Sequence, residues 1–165
     1  MKYVIALLAV AGIVVSSMAL HIHFMDPSQA PPCAVTAKWD CGEVNHGKYS
    51  AFPPYSLEKD YDINGQFHPT GLHIPVALVG ILGYLLILIA ALMGRMRIVL
   101  ELSRIGFFCA AFLSYIEAYI ITKWCIYCVW SQFIILTILL LSIVTLLLRR
   151  RRRAESMVAV LMAED

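Results

Sequence analysis

Apolar residues in this 165-residue chain fall into long runs separated by polar stretches. Tyr3–Phe24 contains no Asp, Glu, Lys or Arg, and neither does Ile74–Met93. Ile98–Ile121 carries only Glu101, Arg104 and Glu117, and Cys125–Leu148 is again uncharged. Each run is about the 20 residues that a helix needs to cross a hydrocarbon core. The pattern predicts four spans, at about 3–24, 74–93, 98–121 and 125–148. The expected fold class is an all-α integral membrane protein, a four-helix transmembrane bundle with a long extracytoplasmic loop, 25–73, between helices 1 and 2. Residues 1–153 make one membrane domain, and 154–165 form a short, helix-compatible cytoplasmic tail.

Composition agrees: 61% of residues are hydrophobic and 15% charged, against about half and about a quarter in soluble domains. The charges give direction. Lys2 precedes the first span, "GRMR" (Gly94–Arg97) joins the second to the third, and "RRRRR" (Arg149–Arg153) follows the fourth. With four spans all three basic sites share one side, which the positive-inside rule makes cytoplasmic. Both termini are then cytoplasmic and the membrane is the cytoplasmic (inner) one. The outer loop carries six acidic residues against three lysines, as an exported segment would. Beside an apolar span the arginine run reads as a stop signal, and no nucleic-acid partner is expected. Lys2, the apolar run and the small residues of "SSMA" also resemble a cleavable signal peptide. The run exceeds the usual 7–15 residues of such a segment, so an uncleaved helix is expected.

Five cysteines change the picture from membrane anchor to candidate chemistry. Cys33 and Cys41 lie in the outer loop, Cys125 and Cys128 open the fourth span, and Cys109 sits inside the third as a small apolar residue. Three readings of the outer four compete. A zinc site would add His46, His68 or His73, but Cys33 to Cys41 is wider than a knuckle pair and nothing fixes the histidine spacing. Two static disulfides would staple a membrane scaffold, as an oxidising compartment permits. The third reading is redox exchange.

In "TKWCIYCVWSQ" (Thr122–Gln132) the cysteine pair meets the first turn of a long helix. Free N–H groups and the macrodipole favour a thiolate there, and the thiolate is the nucleophile. Spacing of three puts both sulfurs on one face. One can meet a loop cysteine while the other faces the bundle interior at headgroup depth, where a reducible partner has to be lipid-soluble. A membrane quinone of the ubiquinone or menaquinone type satisfies that, with no metal. The loop pair, with Gly42 and Gly47 nearby, reads as a mobile shuttle from a soluble thiol protein. Cys33 follows the stiff, extended "SQAPP" and is expected to be the more exposed loop thiol; Gly42 gives Cys41 a hinge.

The segments "CAVTAKWDCGEVNHGKYSAF", "HIPVALVGILGY" and "SYIEAYIITKWCIYCVWSQ" resemble the vitamin K epoxide reductase (VKOR) family over about residues 16–132. The order of motifs is specific: a loop cysteine pair, Ile-Pro entering span two, and C-x-x-C entering span four. The resemblance implies a quinone-dependent thiol oxidoreductase that supports disulfide formation in exported proteins. Cys128 would lie beside the quinone, Cys125 would be its disulfide partner attacked by Cys41, and Cys33 would meet the external thiol protein. That partner would be a thioredoxin-like or DsbA-like protein acting in trans, since no thioredoxin segment follows span four here. Reduction of vitamin K epoxide or quinone proper, and the non-enzymatic stapled scaffold, are the alternatives.

Two positions depart from the family pattern. The usual Ser or Thr six residues after the second loop cysteine is Gly47, with His46 or Ser50 as candidate substitutes. The Tyr found four residues after the second C-x-x-C cysteine in vertebrate members is Gln132, whose amide can still donate to a quinone oxygen. Glu117, in "YIEAY", either reaches up to the interface or shapes the quinone site. His21 and His23 close span one as interfacial residues. Reporter fusions at Asp165 and within the outer loop should give opposite signals, cytoplasmic and extracytoplasmic. The same sign at both points would break the four-span reading.

Overall fold

In an apolar solvent the backbone N–H and C=O groups find no water, so long uncharged runs close their hydrogen bonds internally as helix. The computed structural model describes residues 1–26, 33, 35–54 and 73–162. It forms α1 (Lys2–His23), the short α2 (Cys41–His46), β1 (Ala51–Phe52), β2 (Ile74–Pro75), α3 (Val76–Leu92), α4 (Met96–Ile116), a π-helical turn (Glu117–Ile121) and α5 (Ile126–Leu161). Among the described residues three helical stretches are long and apolar enough to cross a membrane: Lys2–His23, Met96–Ile121 and Ile126–Met157. The second apolar run is shorter as a helix than its sequence suggests, because α3 has 17 residues. Its expected first two residues, Ile74 and Pro75, pair instead with Phe52 and Ala51 in a two-stranded antiparallel ribbon. Val76 N–H donates to the Ser50 carbonyl (2.9 Å), which ties the segment after α2 to the start of α3.

Small residues set the closest packing. Ala6, Ala9 and Gly12 face α3, and a Cβ on Gly12 would lie 2.6 Å from Tyr84 Cζ. Tyr84 is 4% exposed, and its hydroxyl donates to the Ser131 carbonyl (2.8 Å), joining α3 to α5. Ile5, Ile87, Val99 and Ile138 complete a core drawn from α1, α3, α4 and α5. The outer faces are also apolar: Leu7, Leu86, Phe108, Phe112, Tyr119 and Leu140 are all exposed. A water-soluble protein does not present apolar faces of that extent, whereas lipid accepts them. The charges expected inside the third run pair with each other on the surface, Arg104 with Glu101 at 3.5 Å.

The basic segments meet at one end. Gly94 turns α3 into α4 with φ of 72°, a left-handed conformation that glycine adopts without strain. Arg149 reaches the Gly94 carbonyl at 3.5 Å, and Thr145 donates to Met1 Sδ at 3.3 Å. The N-terminus, the "GRMR" turn and the start of the arginine run therefore share an end of the molecule, as the charge pattern predicts. α5 does not stop at residue 153; it continues without a break to Leu161.

The Gly12–Tyr84 contact gives a test of helix packing. Gly12→Ala should lower stability by about 1–3 kcal/mol through overpacking, seen as a lower melting temperature in detergent. An unchanged melting curve would mean that α1 and α3 do not meet through this contact.

Candidate redox site

The site lies at the opposite end, where α4 gives way to α5. Thr122, at φ of 60°, turns the chain out of the π-helical segment in a left-handed conformation that a β-branched residue rarely adopts. The N–H groups that follow need acceptors before α5 begins. Trp124 N–H donates to the Lys38 carbonyl (2.8 Å), and Asp40 N–H donates to the Trp124 carbonyl (3.1 Å). These two bonds lay the outer-loop segment parallel to the connection, with the Trp39 and Trp124 ring centroids 6.3 Å apart. Lys123 and Glu43 add a partly exposed ion pair at 3.3 Å, of a kind that contributes little.

This docking decides where the loop cysteine sits. Asp40 caps α2, its Oδ1 accepting from Gly42 N–H (2.9 Å) and Glu43 N–H (3.2 Å). Cys41 is the first residue of that helix and is fully buried, as is Cys125. Both belong to one apolar cluster with Ile22, Cys33 and Val44. Cys33 and Cys41 are joined by a disulfide, while Cys125 and Cys128 are free thiols. Two closed staples are therefore not what the structure holds. Cys33, expected to be the more exposed loop thiol, is 4% exposed against 0% for Cys41, and both are buried because the disulfide draws Cys33 into the cluster.

Asn45, on the last turn of α2, connects the two pairs. Its Nδ2 donates to the Cys41 carbonyl (2.8 Å) and lies 3.5 Å from Cys125 Sγ. Its own carbonyl accepts from His23 Nδ1 at 2.6 Å, so the end of α1 holds α2 in place. Nothing in the sequence singles out Asn45, since its role appears only once α2 is docked. The tryptophans carried a readable signal, because each stands within two residues of a site cysteine.

Glu117 does not reach the interface. It is 2% exposed, accepts a hydrogen bond from Cys125 N–H at 3.2 Å, and lines a cavity together with Cys128. The π-helical turn carries it: one wider turn re-aims the side chains at the end of α4. Cys128 is half-buried and lines a cavity of about 280 Å³, near the lower end of small-molecule sites. Glu117, Asn45, Ser50, Tyr84 and Ser131 are among its polar neighbours, with Ser16, Tyr49 and Tyr127, and the rest of the lining is largely apolar. A Cβ built on Gly83 meets nothing within 4 Å, so that wall is open.

The two departures from the family pattern now have positions. A Cβ on Gly47 would stand 2.8 Å from the Glu43 carbonyl oxygen, so the end of α2 leaves no room for a side chain there. His46 Nε2 is engaged by the Met25 carbonyl (3.0 Å). Ser50 does reach the cavity, and its buried Oγ has no hydrogen-bond partner among the described residues. Gln132 lies off the cavity lining, and its Oε1 accepts from Ser114 Oγ. Cys109, expected to be buried in the third span, is instead exposed and borders the same cavity, because its face of α4 is not covered. His73 Nδ1 donates to the Pro53 carbonyl (2.9 Å), His21 is exposed, and His68 lies outside the described residues. Among the described residues no three His, Cys, Asp or Glu side chains gather as a metal site would require.

No curated protein matches the chain at a significant level. The family model described as "Vitamin K epoxide reductase family" matches residues 3–143, most of the chain and all four site cysteines. On that match, with a docked disulfide loop above a reduced C-x-x-C pair, the chain belongs to the vitamin K epoxide reductase family, whose members are membrane oxidoreductases.

Proposed function

We propose that the protein passes electrons from a thioredoxin-like thiol protein through Cys33/Cys41 and Cys125/Cys128 to a membrane quinone, supporting disulfide formation in exported proteins. One observation carries this reading: the two thiols of the C-x-x-C pair face different partners. Cys125 is buried against Cys41, and Cys128 opens onto an apolar cavity. That division suits exchange with the loop on one side and with a lipid-soluble acceptor on the other. α3 serves as span two and completes the set of four, since 17 uncharged residues are at the short limit for crossing. Residues 1–153 act as the membrane domain, with both termini cytoplasmic and the cysteines extracytoplasmic.

Exchange proceeds through mixed disulfides. Reduction of the loop disulfide frees Cys41, whose thiolate attacks Cys125 of an oxidised C-x-x-C pair and releases Cys128. Cys33 then attacks Cys41 and releases Cys125. The Asn45 amide beside Cys125 Sγ supports the departing sulfur, because hydrogen bonds to a charged acceptor are the stronger ones. The arrangement observed, loop oxidised and C-x-x-C reduced, is the one that follows this transfer.

The cavity suits a quinone head. Its lining is mainly apolar, and the partnerless Ser50 hydroxyl is a donor available to a ring oxygen. Such an orphan otherwise costs about 1–3 kcal/mol. A bound quinone supplies a two-electron acceptor; the residues around it orient it, exclude water and hold the Cys128 thiol.

Thiol trapping tests the order of the relay. Cys128→Ser should show a Cys41–Cys125 bridge, formed as the Cys125 thiolate attacks Cys41 of the loop disulfide and releases Cys33, with no Cys128 to draw Cys125 back, and should reduce quinone turnover to background. Cys125→Ser should trap nothing with Cys41. Mass spectrometry of non-reduced peptides reads both results. A Cys33–Cys125 bridge would reverse the loop roles, and near-normal turnover in Cys128→Ser would sink the assignment.

A further inference from the structure

Glu117 is the sole buried Asp or Glu among the described residues. Burying a carboxyl is costly unless something in the site compensates. No lysine, arginine or histidine does so: the ion pairs formed among the described residues join Arg104 to Glu101 and Lys123 to Glu43. What Glu117 has instead is Cys125 N–H on one oxygen and a cavity wall that it shares with Cys128. The backbone deviates on both sides of the contact, with the π-helical turn before it and the left-handed Thr122 after it. Deviations of this sort persist where the surrounding structure enforces them, and they cluster at functional sites.

We propose that Glu117 is the proton acceptor for the Cys128 thiol and holds that proton at the wall of the cavity it shares with Cys128. The chemistry balances. Oxidation of the Cys125 and Cys128 thiols to a disulfide releases two electrons and two protons, the number that converts a quinone to its hydroquinone. Glu117 takes the Cys128 proton as the thiolate forms and returns it on the cavity side; the second proton comes from the Cys125 thiol. Transfer from the thiol to the carboxylate leaves the net charge of the site unchanged, so no additional charge is buried. The titratable groups facing Glu117 from the start of α5 are Cys125 and Cys128, and the other titratable lining groups are Cys109 and the phenols Tyr49, Tyr84 and Tyr127. Asn45 on α2 does not titrate, and His23 and His46 are turned to backbone carbonyls.

The proposal deepens the quinone reading, and its test does not depend on quinone. Alkylation of Cys128 in fully reduced, quinone-free protein is followed against pH, with fragment-ion assignment of the modified cysteine. Proton transfer to Glu117 makes the thiolate fraction nearly independent of pH, so wild type should give a flat profile from about pH 6 to about pH 9. Glu117→Gln keeps an acceptor for Cys125 N–H and cannot take a proton. Its Cys128 should gain reactivity by about tenfold per pH unit over that range, and its quinone turnover should fall by about 10²–10⁴-fold. Glu117→Asp, which keeps a carboxyl, should restore a flatter profile. Equal slopes in wild type and Glu117→Gln would overturn the proposal. So would faster alkylation of the variant at every pH, the signature of relieved charge repulsion alone. If the quinone reading itself fails, wild type shows no quinone turnover whatever the alkylation profile.

Discussion

The arrangement of this protein depends on a shortage of hydrogen-bond acceptors at the junction of α4 and α5. A chain that leaves one helix and enters another in an apolar setting exposes N–H groups that water does not reach. Trp124 N–H is satisfied by the Lys38 carbonyl, and Cys125 N–H by the Glu117 carboxylate. The first bond brings the outer loop down onto the C-x-x-C pair, and the second brings a carboxyl to it. Loop docking and the placement of Glu117 are thus two solutions to the same backbone requirement, and the redox site is built from them.

From that junction the rest of the site follows by short connections. Asp40, held by Trp124, caps α2 and places Cys41 in its first turn. Asn45 ends the same helix, touches Cys125 and is fixed from α1 by His23. A few residues further on, Ser50 anchors Val76 and brings its hydroxyl to the cavity below Cys128. α2 is six residues long and too short to be stable alone, so its geometry is borrowed from these contacts.

The helical runs, the basic end and the two cysteine pairs were legible in the sequence because each rests on local rules. Uncharged stretches of about 20 residues form helix in an apolar solvent wherever they lie. Arginines at Gly94–Arg97 and Arg149–Arg153 mark one end by charge alone, and Thr122–Gln132 shows its C-x-x-C whatever surrounds it. The length of α3 was misread by hydropathy, since Ile74 and Pro75 look apolar but are used as a strand against Ala51 and Phe52.

The tertiary structure decided what each group faces. Cys33 follows an exposed-looking segment yet is buried, because the disulfide to Cys41 carries it into a cluster with Cys125. Gln132 occupies the position where vertebrate relatives place a Tyr, but it turns to Ser114 and leaves the cavity to Ser50, Tyr84 and Ser131. Whether Glu117 met lipid headgroups or the cysteines was open in the sequence, since a single wider helical turn settles which way it points. Sequence alone determined the helices, the basic end and the identity of the thiols, because composition and spacing act locally. Only the fold determined their partners, because those contacts join residues far apart in the chain, 80 positions for Asn45 and Cys125, and depend on the direction of each side chain.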